Sequence, residues 1–99
     1  MELIFEDKTY DRLEVDPSFS HDFAAPLVAS YRSRIQLLRA AHAELDLTAM
    51  RCLSFQPLLP RSRRQHSIHL DSHYRLIVEL RRQPDGRVAR IVIVRIDEI

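Results

Sequence analysis

Arginine and histidine in the second half of the chain are the residues best suited to chemistry. Arg61, Arg63 and Arg64 follow Pro57 and Pro60, in an extended loop leading into a strand expected at 66–70. Arg75 and Arg81 alternate onto one side of a strand expected at 74–82, and Arg95 sits on the odd-numbered side of a strand expected at 88–96. A guanidinium grips a phosphate through two donors and stacks on bases, as an ammonium does not. A sheet face lined with such groups neutralises a polyanion and, when aimed, stabilises the charge of a phosphorane-like intermediate. Arg81 and its neighbour Arg82 also read as a solvated strand end. Fourteen of the fifteen cations are arginine, Lys8 being the exception. Residues 1–50 carry five Lys/Arg against nine Asp/Glu, and residues 51–99 carry ten against five, so the basic character lies in the second half.

His66, His69 and His73, with Asp71 beside them, invite a metal reading. Alternation along a strand sends His66 and His69 to opposite faces, and a tight turn at 71–73 sets His73 apart. Structural zinc sites favour closely spaced cysteine pairs, and Cys52 stands alone, so no metal is expected. A histidine beside the arginine face suits proton transfer, because its pKa straddles neutrality. His66 shares its side with Ile68 and Leu70 and reads as structural. His69 points with Ser67 and Asp71. Cys52, in a strand expected at 51–56, reads as a buried, inert thiol. No glycine elbow frames a serine nucleophile, and no pair of carboxylates suits glycoside chemistry. The single glycine, Gly86, excludes glycine-rich phosphate loops and with them the common nucleotide-binding motifs. No cofactor is expected.

These side chains must be positioned by a single domain spanning residues 1–99, since 99 residues do not supply two cores. No stretch of 18 apolar residues is present, so no membrane span is expected. The opening MELIFEDKTY reads as mature structure rather than a leader. With one cysteine, this points to a reducing, cytoplasmic setting. Residues 2–5 suit a first strand. Asp7 caps a short helix to about Leu13, with Phe5, Tyr10 and Leu13 inward. A longer helix is expected over 24–44, opened by Pro26 and carrying the stripe Leu27, Tyr31, Ile35, Leu38 and Leu45. On the 74–82 strand, Tyr74, Leu76, Val78 and Leu80 share one face. The 88–96 strand is apolar on both faces in its middle and is expected to be covered on both. Gln83-Pro84-Asp85-Gly86 supplies the turn between these two strands. The order predicts an α+β fold: an N-terminal strand and two helices packed on an antiparallel sheet of about four to five strands.

The run His66-Ser-Ile-His-Leu-Asp-Ser-His-Tyr-Arg75-Leu-Ile-Val-Glu-Leu resembles the signature hairpin of the RelE/HigB toxin superfamily, which in the HigB branch reads approximately W-S-I-R-V-N-G-N-W-R-L-I-F. Upstream, Tyr31-Arg-Ser-Arg-Ile35-Gln-Leu-Leu, then Asp46-Leu47, then Leu53-Ser-Phe-Gln-Pro57-Leu58 follow that branch's helix, its "DL" and its "L-H-P-L" in order. The resemblance covers nearly the whole chain and is most specific over 67–78. It implies the toxin of a bacterial toxin–antitoxin pair that binds the ribosomal A site and cuts mRNA without a metal, the 2′-OH attacking the adjacent phosphate. Arg75 matches the family's strand arginine, implied to contact the scissile phosphate. Arg61, Arg63 and Arg64 occupy its basic loop, and Arg81 and Arg95 add to an RNA-binding face.

The chain departs from the pattern at its end. The HigB branch closes on Asp-Tyr-His, and the matching positions are Asp97, Glu98 and Ile99. The lysine after the family's "P-L" is also absent, Leu59-Pro60 standing there. His66, His69 or His73 then remain as substitutes for proton transfer, with Glu98 as another base. Two other readings stay open: a ParE-like gyrase poison, and a relative that binds only antitoxin or nucleic acid. All share an antitoxin partner, of helix-turn-helix type in the HigB branch and encoded adjacently. That partner is expected on the acidic, helical N-terminal half, leaving ribosome and mRNA to the basic half.

Overall fold

The computed structural model describes residues 1–60 and 64–99; Arg61 and Arg63 lie outside the described residues. The chain opens with strand β1 (Glu2–Phe5) and helix α1 (Lys8–Val15). Asp7 caps α1, its carboxylate accepting from the Thr9 amide at 2.8 Å and satisfying one of the free N–H groups of the first turn. Helix α2 (Ala25–Ala40) begins with Pro26 in its first turn.

The helix expected to continue to 44 stops at Ala40. The carboxylate of Asp46 accepts from the amides of His42 (2.8 Å) and Ala43 (3.1 Å) and starts a new helix, α3 (Glu44–Ala49). The interruption changes the helical phase. Leu45, expected in the apolar stripe, is 77% exposed, while Leu47 is fully buried in its place.

The strand expected at 51–56 is instead a 3-10 turn (Arg51–Leu53) followed by a two-residue strand, β2 (Gln56–Pro57). Leu53 fills the core, and Ser54 takes a left-handed conformation (φ 43°) that turns the chain toward the sheet. Proline lacks the amide a longer inner strand needs, which keeps β2 short and at the edge. Cys52 is exposed in this turn, not buried. In a turn of three residues per rotation only one side chain in three faces inward, and here that is Leu53.

Strands β3 (Gln65–His69), β4 (Tyr74–Arg82) and β5 (Val88–Glu98) complete a five-stranded sheet in the order β1-β5-β4-β3-β2. Every neighbouring pair is antiparallel except β1 and β5, which run parallel, so the sheet is mixed rather than purely antiparallel. Helices α1, α2 and α3 carry the chain from β1 to the far edge of the sheet, and the antiparallel succession β2, β3, β4, β5 brings β5 back beside β1. Asp71 Oδ1 accepts from the amides of His73 and Tyr74 and tightens the β3–β4 turn. Gly86, at φ +89°, supplies the left-handed residue of the β4–β5 turn.

One face of the sheet carries the helices. Leu76, Val78 and Leu80 of β4 and Ile91 and Ile93 of β5 meet Leu13, Tyr31, Ile35 and Leu38 there. Tyr31 is fully buried and donates its hydroxyl to the Tyr10 carbonyl at 2.8 Å. Burial pushes its phenol pKa upward, which keeps it a neutral donor. The opposite face is closed over Ile77 and Val92, both fully buried, as the two-sided apolar pattern of β5 implies.

Candidate functional site

The site is built on the end of the sheet face turned away from the helices. Directly opposed residues on antiparallel strands share a face, so the pairings His69↔Arg75 and Arg75↔Asp97 set three side chains in one row across β3, β4 and β5. The next row is Ser67, Ile77 and Arg95. Arg95 reaches this face only through a β-bulge. Ile77 pairs with Arg95 while Val78 pairs with Ile93, leaving Val94 as the extra residue. Without the bulge, alternation would turn Arg95 to the side of Ile91 and Ile93, into the core.

Counted with Arg95 of the next row, two arginines face one carboxylate. Arg75 Nη2 lies 3.6 Å and Arg95 Nη2 lies 3.8 Å from the same oxygen, Asp97 Oδ2. Both separations exceed a good charge-assisted hydrogen bond, so neither guanidinium is saturated. Arg75 Nε is buried with no partner among the described residues. Next to the row is a depression of about 230 Å³, lined by Ser54, Gln56, Ser67, His69, Arg75 and Ile99. It offers an arginine fork, an exposed imidazole and neutral hydroxyl and amide groups around one small volume. This set suits a phosphodiester: cationic donors for the non-bridging oxygens and a group able to exchange a proton. Ser54 brings its left-handed backbone to this rim. Non-glycine residues held in that region cluster at functional sites.

The other expected site residues lie elsewhere. His73 is exposed in the β3–β4 turn, its Nδ1 2.8 Å from Ser72 Oγ, and it does not line the depression. Glu98 opposes Tyr74, so it occupies the helix-side face, across the sheet from Arg75. The turn sets His73 apart from the arginine row and alternation does the same to Glu98, so His69 is the expected proton-transfer residue that remains beside it.

Arg81 stands six residues along β4 from Arg75, about 20 Å away at a strand's usual rise. It pairs with Glu79 (3.1 Å) and Glu6 (3.3 Å). Arg64 pairs with Glu79 at 2.9 Å, and its carbonyl accepts from the Leu80 amide. Arg82 grips both oxygens of Glu44, at 2.7 and 3.0 Å. These three line a second depression of about 380 Å³ at the far end of β4, where carboxylates answer each guanidinium. Arg61 and Arg63 fall outside the described residues. Among the described residues, no group of three or more His, Cys, Asp or Glu side chains is arranged to hold a metal.

His66 is 6% exposed and stacks on Phe55, the rings 4.5 Å apart and 8° from parallel. Its Nδ1 has no partner among the described residues. Burial is the main cause that lowers its pKa below the usual histidine range, and Arg82 adds to the effect; Glu44 and a hydrogen bond to the Arg64 carbonyl oppose it. It is a core histidine on the helix side, remote from the arginine row.

Sequence reading missed Ser54 and Gln56 as rim residues. Both precede Pro57, whose strand-limiting effect was the one available signal. It also had no means of finding the bulge at Val94.

No family model matches the sequence. No curated protein matches it either. Among solved structures, the fold is similar to that of a YoeB/ParE toxin from Agrobacterium tumefaciens, with a TM-score of 0.57 and 13% sequence identity over 100% of this chain and 99% of that one. The mixed five-stranded sheet with its helices on one face is therefore of the RelE/ParE-like type. No helix among the described residues is long and apolar enough to cross a membrane.

Proposed function

We propose that this protein is the toxin of a toxin–antitoxin pair and that it cuts mRNA on the ribosome, in the manner of the HigB branch. The single observation that carries the reading is the row His69–Arg75–Asp97 beside an open depression. The likeness to a YoeB/ParE toxin supports the same class of protein. In the reaction, His69 takes the proton of a ribose 2′-OH. The 2′ oxygen attacks the adjacent phosphorus, and the bond to the 5′ oxygen of the next nucleotide breaks. That oxygen leaves with a proton returned by the imidazolium or by water. The products are a 2′,3′-cyclic phosphate and a 5′-hydroxyl. Arg75 stabilises the charge on the non-bridging oxygens, where its fixed donors need no reorganisation. Asp97 orients Arg75, and Arg95 adds positive potential along the strand. The requirement for a 2′-OH restricts the substrate to RNA.

The partner is an antitoxin bound to the helical, acidic half, away from the arginine row, in the cytoplasm. Loss of antitoxin binding on deleting residues 61–64, with substitutions on α1 and α2 harmless, would refute that placement.

A second reading, a ParE-like gyrase poison, is favoured by one observation: Glu98 and Ile99 occupy the positions where the HigB branch carries Tyr-His. Primer extension on an mRNA translated in a purified system separates the two. New stops that require ribosomes, and that vanish with Arg75→Ala, support the endonuclease. Gyrase-dependent DNA breaks without such stops support the poison. Neither effect from a folded protein leaves a relative that only binds antitoxin or nucleic acid.

A further inference from the structure

We propose that Arg34, on a helix otherwise devoted to the core, is a positioning residue for His69. The inference rests on the reading of His69 as the proton-transfer group, and it starts from an open edge of the sheet. β2 pairs with β3 only at Ser67 and His66, so no strand lies alongside His69 on its outer side. On its inner side His69 faces Arg75, while the neighbouring amide of Leu70 bonds to the Tyr74 carbonyl. The alternation of an antiparallel ladder then turns the His69 carbonyl outward, away from β4. An outward carbonyl on an unpaired edge has no ladder to hold it, so the sheet holds the peptide plane that follows His69 from one side only, through the Leu70 N–H.

Arg34 closes that gap. Its Nε donates to the His69 carbonyl at 3.0 Å, across 35 residues of sequence. The donor is well anchored, because Tyr31 and Ile35, on the same side of α2, are fully buried. Neighbouring arginines of α2 serve other ends. Arg32 bonds to the Leu13 and Asp16 carbonyls, and Arg39 pairs with Glu14. Arg39 also lies over the Phe5 ring of β1, but Arg34 is the one whose guanidinium hydrogen-bonds to a strand carbonyl, at a residue that lines the depression. Fixing the His69 carbonyl fixes the peptide plane and hence the direction in which the imidazole leaves the strand toward the row with Arg75. The acceptor is neutral and no ion pair of Arg34 is present among the described residues, so its positive charge also remains at the site's edge.

The test compares Arg34→Met and Arg34→Lys, each alone and combined with His69→Ala. Single-turnover cleavage of ribosome-bound mRNA is measured alongside NMR of the His69 imidazole and the Leu70 amide. We expect Arg34→Met to lower the cleavage rate on the order of tenfold with half-saturation unchanged, as a small misplacement of a reacting group does. Arg34→Lys, which keeps a donor, recovers part of the rate. In the His69→Ala background Arg34→Met causes no further loss. An equal loss in both backgrounds overturns the proposal, since Arg34 then acts independently of His69. If the wild-type protein does not cleave RNA, the functional reading fails and the NMR arm decides this one. Signals of His69 and Leu70 that move in Arg34→Met while those of Ile68 stay in place uphold the positioning role, and unmoved His69 signals overturn it.

Discussion

The Arg75 guanidinium and the Asp97 carboxylate stand side by side on β4 and β5, with 3.6 Å between Nη2 and Oδ2. The pair is close enough to orient Arg75 but too long to occupy its donors, and the Nε of Arg75 has no partner among the described residues. Arg75→Ala is therefore expected to abolish RNA cleavage and growth arrest while the protein stays folded. Arg75→Lys keeps the charge and loses the fork, so most of the activity is lost with it. Circular dichroism and a growth assay check both; a folded Arg75→Ala protein that still arrests growth removes Arg75 from the site.

Arg82 offers the contrast. Its guanidinium is held by both oxygens of Glu44 and by the Gly86 carbonyl. Arg82→Ala should leave RNA affinity and its salt dependence nearly unchanged but reduce stability, because it releases α3 from the sheet. Removing a phosphate contact would instead flatten the dependence of log K on log salt by nearly one unit per contact. Filter binding at several salt concentrations, with urea unfolding in parallel, distinguishes the two effects.

Tyr10 links α1 to the bulged strand, its hydroxyl accepting from the Ile96 amide at 3.0 Å. Ile96 lies between Arg95 and Asp97. Tyr10→Phe leaves that amide without its acceptor and is expected to cost about 1–3 kcal/mol, the usual penalty for a stranded polar group. Hydrogen exchange should quicken at residues 95–97 more than at 76–80. Uniform quickening would mean that Tyr10 contributes only global stability.

His66 makes stability depend on pH. Burial disfavours its charged form, so the unfolded chain takes up a proton near pH 6.5, whereas the folded chain does so only at lower pH. Within that window the unfolded state binds more protons, and stability falls as the pH drops below about 6.5. His66→Phe, which keeps an aromatic ring against Phe55, should remove this contribution. Urea midpoints between pH 7 and 5 measure it, and an unchanged slope in the variant would assign the dependence to another group.

Much of this architecture was legible in the residues. The Asp7 cap, the α2 stripe at Leu27, Tyr31, Ile35 and Leu38, the turns at 71–73 and 83–86, and the inward face Tyr74, Leu76, Val78 and Leu80 all follow from local periodicity and turn chemistry. Local signals failed where a distant partner decides. Asp46 restarts a helix that periodicity alone carries through residue 44. The alternation of 51–56 looks like a strand, yet the chain there must turn to bring Leu53 inward and Pro57 to an edge.

The composition by itself determined that the basic chemistry belongs to arginine and to the second half of the chain, and the strand pattern determined that Arg75 and His69 take a different face from Leu76 and Ile68. Tertiary structure alone decided which of the candidates meet. Strand register set His69, Arg75 and Asp97 in one row and sent Glu98 to the other face. The bulge at Val94 turned Arg95 outward, and carboxylates at 2.7 to 3.3 Å answered Arg64, Arg81 and Arg82, while Arg75 stands 3.6 Å from Asp97. The physical reason is that side-chain alternation is a local property of one strand, whereas register, bulges and ion pairing depend on residues brought together from across the chain.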